Sequence, residues 1–297
     1  MGMLQWPEYE AKKPVAALPA LPTEAAIQAA LPAMLRAPQP ACPVYHRFGP
    51  GIYIREVNMP AGIYAVGHYQ RFEHTNVFLK GKVRMIEPDG STRDLTAPMI
   101  FTGKPGRKVG IVLEDVVWLN IYATTETDIE TLEETFLDRG DAFLSHRQEV
   151  LETEHALRQV DRDDYAQMLV DTGRTQALAD AQTNNPDDQM PMPCACKIVR
   201  AVSAIEGYGM VATAEIAAGE LIAPALLDGR RTPAGRYTNH AKHPNAEPRV
   251  MGGDIYFVAT RNIQGCAGGQ LGEEVTVDYR AAYAAASELA RGRLCLV

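Results

Sequence analysis

The sequence predicts a mainly β protein with a helical middle segment. Residues 44–125 are short β-branched and aromatic runs split by Gly and Pro, and strand-like texture returns over 194–283. Between them, residues 126–193 open with a helical period and close in a polar, proline-containing linker. Period-2 runs bounded by turn residues read as strands, whereas apolar residues three and four apart read as helix.

Residues 1–43 form a Pro/Ala-rich arm, with prolines at 7, 14, 19, 22, 32, 38, 40 and 43. Proline lacks a backbone donor and breaks regular structure, so the arm is expected to be extended and to pack on its own domain or on a partner. Thr23 can cap one short helix carrying Ile27, Leu31, Met34 and Leu35. The runs GIYIREV, GIYAVGHY, TNVFLKGKVRMI and VGIVLEDVVWLNIYA then suggest a small β-barrel or sandwich, with a turn at Glu87-Pro-Asp-Gly-Ser91. Next, Ile129, Leu132, Phe136 and Leu137 share one helix face. A second helix is expected to carry Val150, Leu151, Leu157 and Val160, and a third Tyr165, Met168 and Leu169. The linker AQTNNPDDQMPMP is the clearest domain boundary, and the C-terminal tail, 284–297, is Ala-rich and helical.

At 297 residues the chain has room for two buried cores, and 46% hydrophobic with 22% charged residues is a globular composition. A formal charge of −8 excludes a broad nucleic-acid surface, which needs clustered Lys and Arg. No apolar run approaches membrane-spanning length, and the start lacks the order of a signal peptide. A cytoplasmic protein with reduced thiols is expected, since the five cysteines, 42, 194, 196, 266 and 295, form no repeated pairs.

Chemistry concentrates in the C-terminal part. Gly207-Tyr208-Gly209 sits in a strand–turn–strand context, followed by Arg236-Tyr-Thr-Asn239-His240, His243-Pro244-Asn245 and Gly272-Glu-Glu274-Val-Thr-Val-Asp278-Tyr279. Alone, each is ordinary: a turn, a pair of loop residues, an aromatic at a strand end. His240 and His243 without a third ligand do not make a metal site.

In this order the segments resemble the SET family, marked by a Gly-X-Gly turn, an Arg-Phe-Ile-Asn-His-X-X-X-Pro-Asn motif and a Glu-X-X-X-Asp-Tyr ending. The resemblance spans Lys197 to Tyr283 and implies a compact SET-type β-fold over 194–283. It also implies S-adenosylmethionine-dependent methylation of a protein lysine. Gly207 and Gly209 would let the backbone approach the cofactor. Tyr208 and Arg236 fall in the same cofactor-binding motifs, Asn239 and His240 would hold the cofactor's amino-acid and adenine parts, and Tyr279 would be catalytic. Two departures stand out. Only 13 residues, Ala223 to Gly235, replace the longer insert that builds one wall of the peptide groove in most active members. Ala241 and Lys242 also follow Asn-His where a Cys is common, and Cys295 alone cannot form a zinc-binding post-SET module.

The segment Pro60 to Val83 resembles the first motif of a cupin barrel, implying a cupin-like β-barrel or sandwich over 44–125. His68, Glu73 and His74 are the available metal ligands, but their spacing is unusual and the second-motif region, Pro105 to Tyr122, has no His. A metal-free binding or structural cupin is therefore the expectation. Cupin-like and compact SET domains of these types resemble ones encoded by tailed bacteriophages and prophages. The alternative function is thus a non-enzymatic virion or assembly protein, a possible homo-oligomer, located in the host cytoplasm or virion.

Overall fold

The computed structural model describes residues 23–192 and 196–294. The first 22 residues of the arm, Cys194 and Cys295 lie outside the described residues.

Helix α1 (Glu24–Arg36) is capped by Thr23, whose hydroxyl accepts from the Ala26 N–H at 3.2 Å. It runs through Pro32, although proline removes one helical hydrogen bond. Pro32 sits on the exposed side, while Ile27, Leu31 and Leu35 are buried, the first two against Val109. Apolar burial outweighs the lost bond. The segment after α1 is tied down too: the Cys42 N–H donates to the Cys266 carbonyl at 3.0 Å.

The N-terminal β domain comprises β1 (Val44–Gly49), β2 (Ile52–Met59), β3 (Tyr64–Val66), β4 (Tyr69–Gln70), β5 (His74–Ile86), β6 (Thr92–Thr96), β7 (Met99–Gly103) and β8 (Val109–Ala123). Two long strands organise it. Strand β8 pairs with β3 along its first part and with β2 along its second, and β5 pairs with β7 and then β6. Because β5 and β8 also pair with each other, bending both folds one seven-stranded sheet onto itself. The bend lies at register shifts between Phe78 and Val83. Gly81 sits there at φ +93°, and a Cβ would come 2.3 Å from the Asp115 carbonyl oxygen, so no side chain fits. The β5–β6 hairpin closes at the turn around Pro88-Asp89-Gly90. Phe78, Val83, Leu95, Val112, Val116 and Trp118 form the apolar core inside.

Four helices follow: α2 (Ile129–Phe136), α3 (Asp141–Leu157), α4 (Gln159–Thr172) and α5 (Gln176–Thr183), with β9 (Leu137–Asp138) between the first two. Leu137, expected on the helix face, instead belongs to β9 and pairs with Gln70. The expected second helix divides at Arg158, which places Val160 in α4. Val150, Leu157 and Val160 are exposed rather than core. These helices bind their neighbours through polar groups: His155 Nδ1 lies 2.9 Å from the Ala204 carbonyl, and Asp161 is buried.

The C-terminal part holds β10 (Ile198–Val202), β11 (Tyr208–Ala212), β12 (Leu221–Leu227), β13 (Arg230–Arg231), α6 (Pro233–Tyr237), β14 (Asn239–His240), β15 (Ala246–Met251), β16 (Asp254–Ala259), β17 (Glu274–Val277) and α7 (Tyr279–Leu294). They make two four-stranded sheets, β10-β11-β17-β14 and β13-β12-β16-β15, around a core that includes Met210, Ile216, Phe257, Ile263 and Val275. The pair β14–β17 is parallel. The helical tail begins at Tyr279, five residues before 284.

A buried charge cluster joins these parts. Glu133 on α2 meets Arg55 of β2 at 3.1 Å and Arg139 at 3.4 Å. Burial disfavours its ionised form, yet Arg55, His46 and Arg139 outweigh this and lower its pKa to about 2. His46 and His68 stand beside the cluster, and burial lowers each to about 4. Replacing Glu133 by Gln leaves two guanidinium groups uncompensated and is expected to cost roughly 3–5 kcal/mol in urea unfolding. A folded-state pKa below the unfolded value of 6.5 means that the unfolded chain takes up protons first on acidification. Stability contributed by neutral His46 is therefore complete above pH 6.5 and lost as pH falls toward 4. Between pH 7 and 5 that loss is about 2 kcal/mol. His46→Phe should reduce the slope of stability against pH over this window, measured by urea titrations at several pH values.

Candidate functional site

The segments singled out in the C-terminal sequence meet at one place. Parallel pairing sets Asn239 opposite Thr276 and His240 opposite Val277. The Asn239 amide lies within hydrogen-bonding distance of the Glu206 and Tyr208 carbonyls (both 3.1 Å), the Ser203 hydroxyl (2.9 Å) and the Glu274 carboxylate (2.8 Å). It thereby gathers the Gly207 turn, the loop before it and β17. Gly207 adopts φ +52°, the left-handed conformation that a tight turn requires here.

Gly209 is small for a reason internal to the fold. Its backbone is ordinary, but a Cβ would stand 2.1 Å from the Glu274 carboxylate. Glu274 is buried, and this raises its pKa against the opposing pull of hydrogen bonds from Asn239 and Ser203. Gly209 thus makes room for a carboxylate of its own chain.

His240 is buried, and its bonds define its tautomer. Nδ1 accepts from the Tyr279 N–H at 3.1 Å, so Nε2 carries the proton that points to Asp164 at 2.9 Å. Asp164 lies on α4 and also receives Arg280 at 2.8 Å, and this bond is the leading cause of its lowered pKa. Nearby, Asp161 accepts from the Lys242 N–H at 2.9 Å. Tyr279 opens α7, donates its hydroxyl to the Thr238 carbonyl at 3.1 Å and packs among the rings of Tyr165, His240 and Tyr283. Burial raises its phenol well above the usual value. The Thr238 hydroxyl is buried without a partner.

Arg236 reaches the linker region and donates to the Thr183 carbonyl at 2.8 and 3.1 Å. Tyr208 is largely exposed, with Arg200 over its ring at 4.8 Å. Sequence reasoning missed Ser203, Asp161 and Asp164. The two aspartates lie more than 70 positions from their partners, and no local pattern marks them.

In the β domain, the three available metal ligands are not brought together. Glu73 is exposed; His74 is buried, with Nε2 3.1 Å from Lys108 and Nδ1 3.0 Å from the Phe72 carbonyl. His68 packs edge-on against Phe143 at 4.7 Å. Among the described residues no three His, Cys, Asp or Glu side chains stand close enough to hold a metal ion. The barrel does contain a cavity of about 250 Å³, bounded by its inner face, α1, Phe143 and Gly268-Gly269. A second of about 30 Å³ lies at the Glu133 cluster. Neither touches the Asn239–Tyr279 region. Among the described residues no helix is long and apolar enough to cross a membrane.

No family model and no curated protein matches this chain. Among solved structures it is similar to a cupin domain from Bordetella pertussis, with 18% identity over 29% of this chain and 97% of that one, at a TM-score of 0.25. It is also similar to an RmlC-like cupin with a double-stranded β-helix fold from Methanocaldococcus jannaschii (15% identity, 30% and 84% covered, TM-score 0.25). A third is a double-stranded β-helix protein from Klebsiella pneumoniae (14% identity, 32% and 84% covered, TM-score 0.26). These scores are low, and the N-terminal domain is described by its own strand order and bent strand pair.

If Gly209 is small to admit Glu274, Gly209→Ala should destabilise the protein by about 1–3 kcal/mol. Glu274→Ala in the same chain should relieve part of that cost. A double-mutant cycle of urea unfolding checks this, and additive effects would contradict the assignment.

Proposed function

We propose that the chain is an S-adenosylmethionine-dependent protein-lysine N-methyltransferase of the SET type. The supporting observation is the convergence of the Gly207 turn, Asn239-His240 and the Glu274–Tyr279 segment through the Asn239 amide and the Tyr279 N–H to His240 bond. The resemblance assigns the cofactor to these same segments. S-adenosylmethionine would supply an activated methyl group on a sulfonium. The unpartnered Thr238 hydroxyl is an unspent polar atom beside Tyr279, consistent with a polar ligand there. Gly207, Tyr208, Asn239 and His240 would hold the cofactor. Tyr279, kept as a neutral phenol by burial, would orient the attacking amine, and the surrounding rings of Tyr165 and Tyr283 would disfavour its ammonium form. Helix α4 and the end of α5, held by Asp164, Asp161 and Thr183, would stand in for the wall that the short 223–235 link leaves out.

One observation favours a second reading, a non-enzymatic docking or assembly protein. The side chains of Asn239, His240 and Arg236 already bond to the chain itself. Calorimetric titration with S-adenosylmethionine and its demethylated product separates the two. Methyltransferase function predicts micromolar binding that is lost in Asn239→Ala. Tyr279→Phe should retain that binding while abolishing transfer to a lysine-containing protein. Absence of binding to the unaltered chain favours the assembly reading.

A further inference from the structure

The barrel interior is divided by chemistry. Its lining includes the apolar Val83, Met85 and Val112 and the polar Gln70, Asn120 and Lys108. Two of the neutral polar lining groups are matched: Tyr122 donates to Gln70 at 2.7 Å, and the Trp118 indole donates to Asn76 at 2.8 Å. Lys108 is the exception. Its ammonium has His74 at 3.1 Å and no carboxylate, and an ammonium is a donor only. It follows that His74 accepts through Nε2, and that Nδ1–H donates to the Phe72 carbonyl.

The cavity wall includes Arg55, Arg107, Arg139 and Lys108 and no acidic residue. Glu133 and Glu24 compensate the arginines from outside the lining, which leaves an excess of positive charge among the residues that bound the space. The Tyr64 hydroxyl, buried and without a partner, also belongs to the wall. A cation withdrawn from water is stabilised when an anion joins it, and apolar surface gains from contact with a hydrocarbon tail. A cavity of about 150 Å³ holds benzene, so the present one suits about ten non-hydrogen atoms.

We propose that the barrel cavity binds a small organic monocarboxylate with an apolar body, its carboxylate at Lys108 and its tail among Val83, Met85 and Val112. This site is separate from the residues assigned to methyl transfer. Since α1 and Gly268-Gly269 also bound the cavity, an occupant touches the arm, the barrel and the C-terminal part together.

The test uses the full chain and calorimetry with octanoate, 3-phenylpropanoate and the uncharged octan-1-ol at pH 7. The expected result is that at least one carboxylate binds with Kd below about 1 mM. Octan-1-ol should bind the unaltered protein at least about tenfold more weakly than octanoate, and Lys108→Met should remove that difference. Failure of both carboxylates to bind, or equal binding of octanoate and octan-1-ol by the unaltered protein, overturns the proposal without reliance on the variant's folding.

Discussion

A carboxylate taken out of water must be met by cations, and the arrangement of this chain depends on how Glu133 is met. Arg55 comes from a barrel strand, Arg139 from the turn before α3, and Glu133 from α2 between them. Breaking such a group leaves uncompensated charge in a poorly solvated place, so the three segments hold one another in register. The same seam includes His46 and His68, kept neutral by burial, and Gln270 and Leu271 from the C-terminal part. From this anchor α3 and α4 run across to the C-terminal sheets.

That path explains the state of the candidate site. Helix α4 brings Asp161 and Asp164 onto the segment after β14, and Asp164 holds both His240 and Arg280. The helical middle is therefore part of the site's wall as well as a connector. Inside the site the polar groups form a closed set in which Glu274, Ser203 and Asn239 satisfy one another, leaving the Thr238 hydroxyl as the unspent group. Such a network is rigid when complete, and it fixes the relative positions of the turn, the parallel strand pair and the start of α7.

The barrel carries a contrasting design. Its bend at Gly81 allows two long strands to serve both halves of the sheet, and the space enclosed is bounded by apolar residues together with cationic ones. Lys108 emerges there as a charge with no acidic partner, beside His74 and in a wall without an acidic residue.

Features with a local cause were legible in the sequence. The Thr23 cap, the β5–β6 turn and the existence of strands β2, β5 and β8 follow from neighbours a few positions apart. The order of the C-terminal segments likewise pointed to one site. What tertiary structure decided are contacts across long stretches of chain. It set Asp164 on His240, brought Arg236 to Thr183, and reserved the space at Gly209 for Glu274. It also separated His68, Glu73 and His74, which stand close in sequence. The physical reason is the same throughout: propensity and period act over a turn or a strand, whereas pairing a buried charge depends on which distant residue the fold delivers to it.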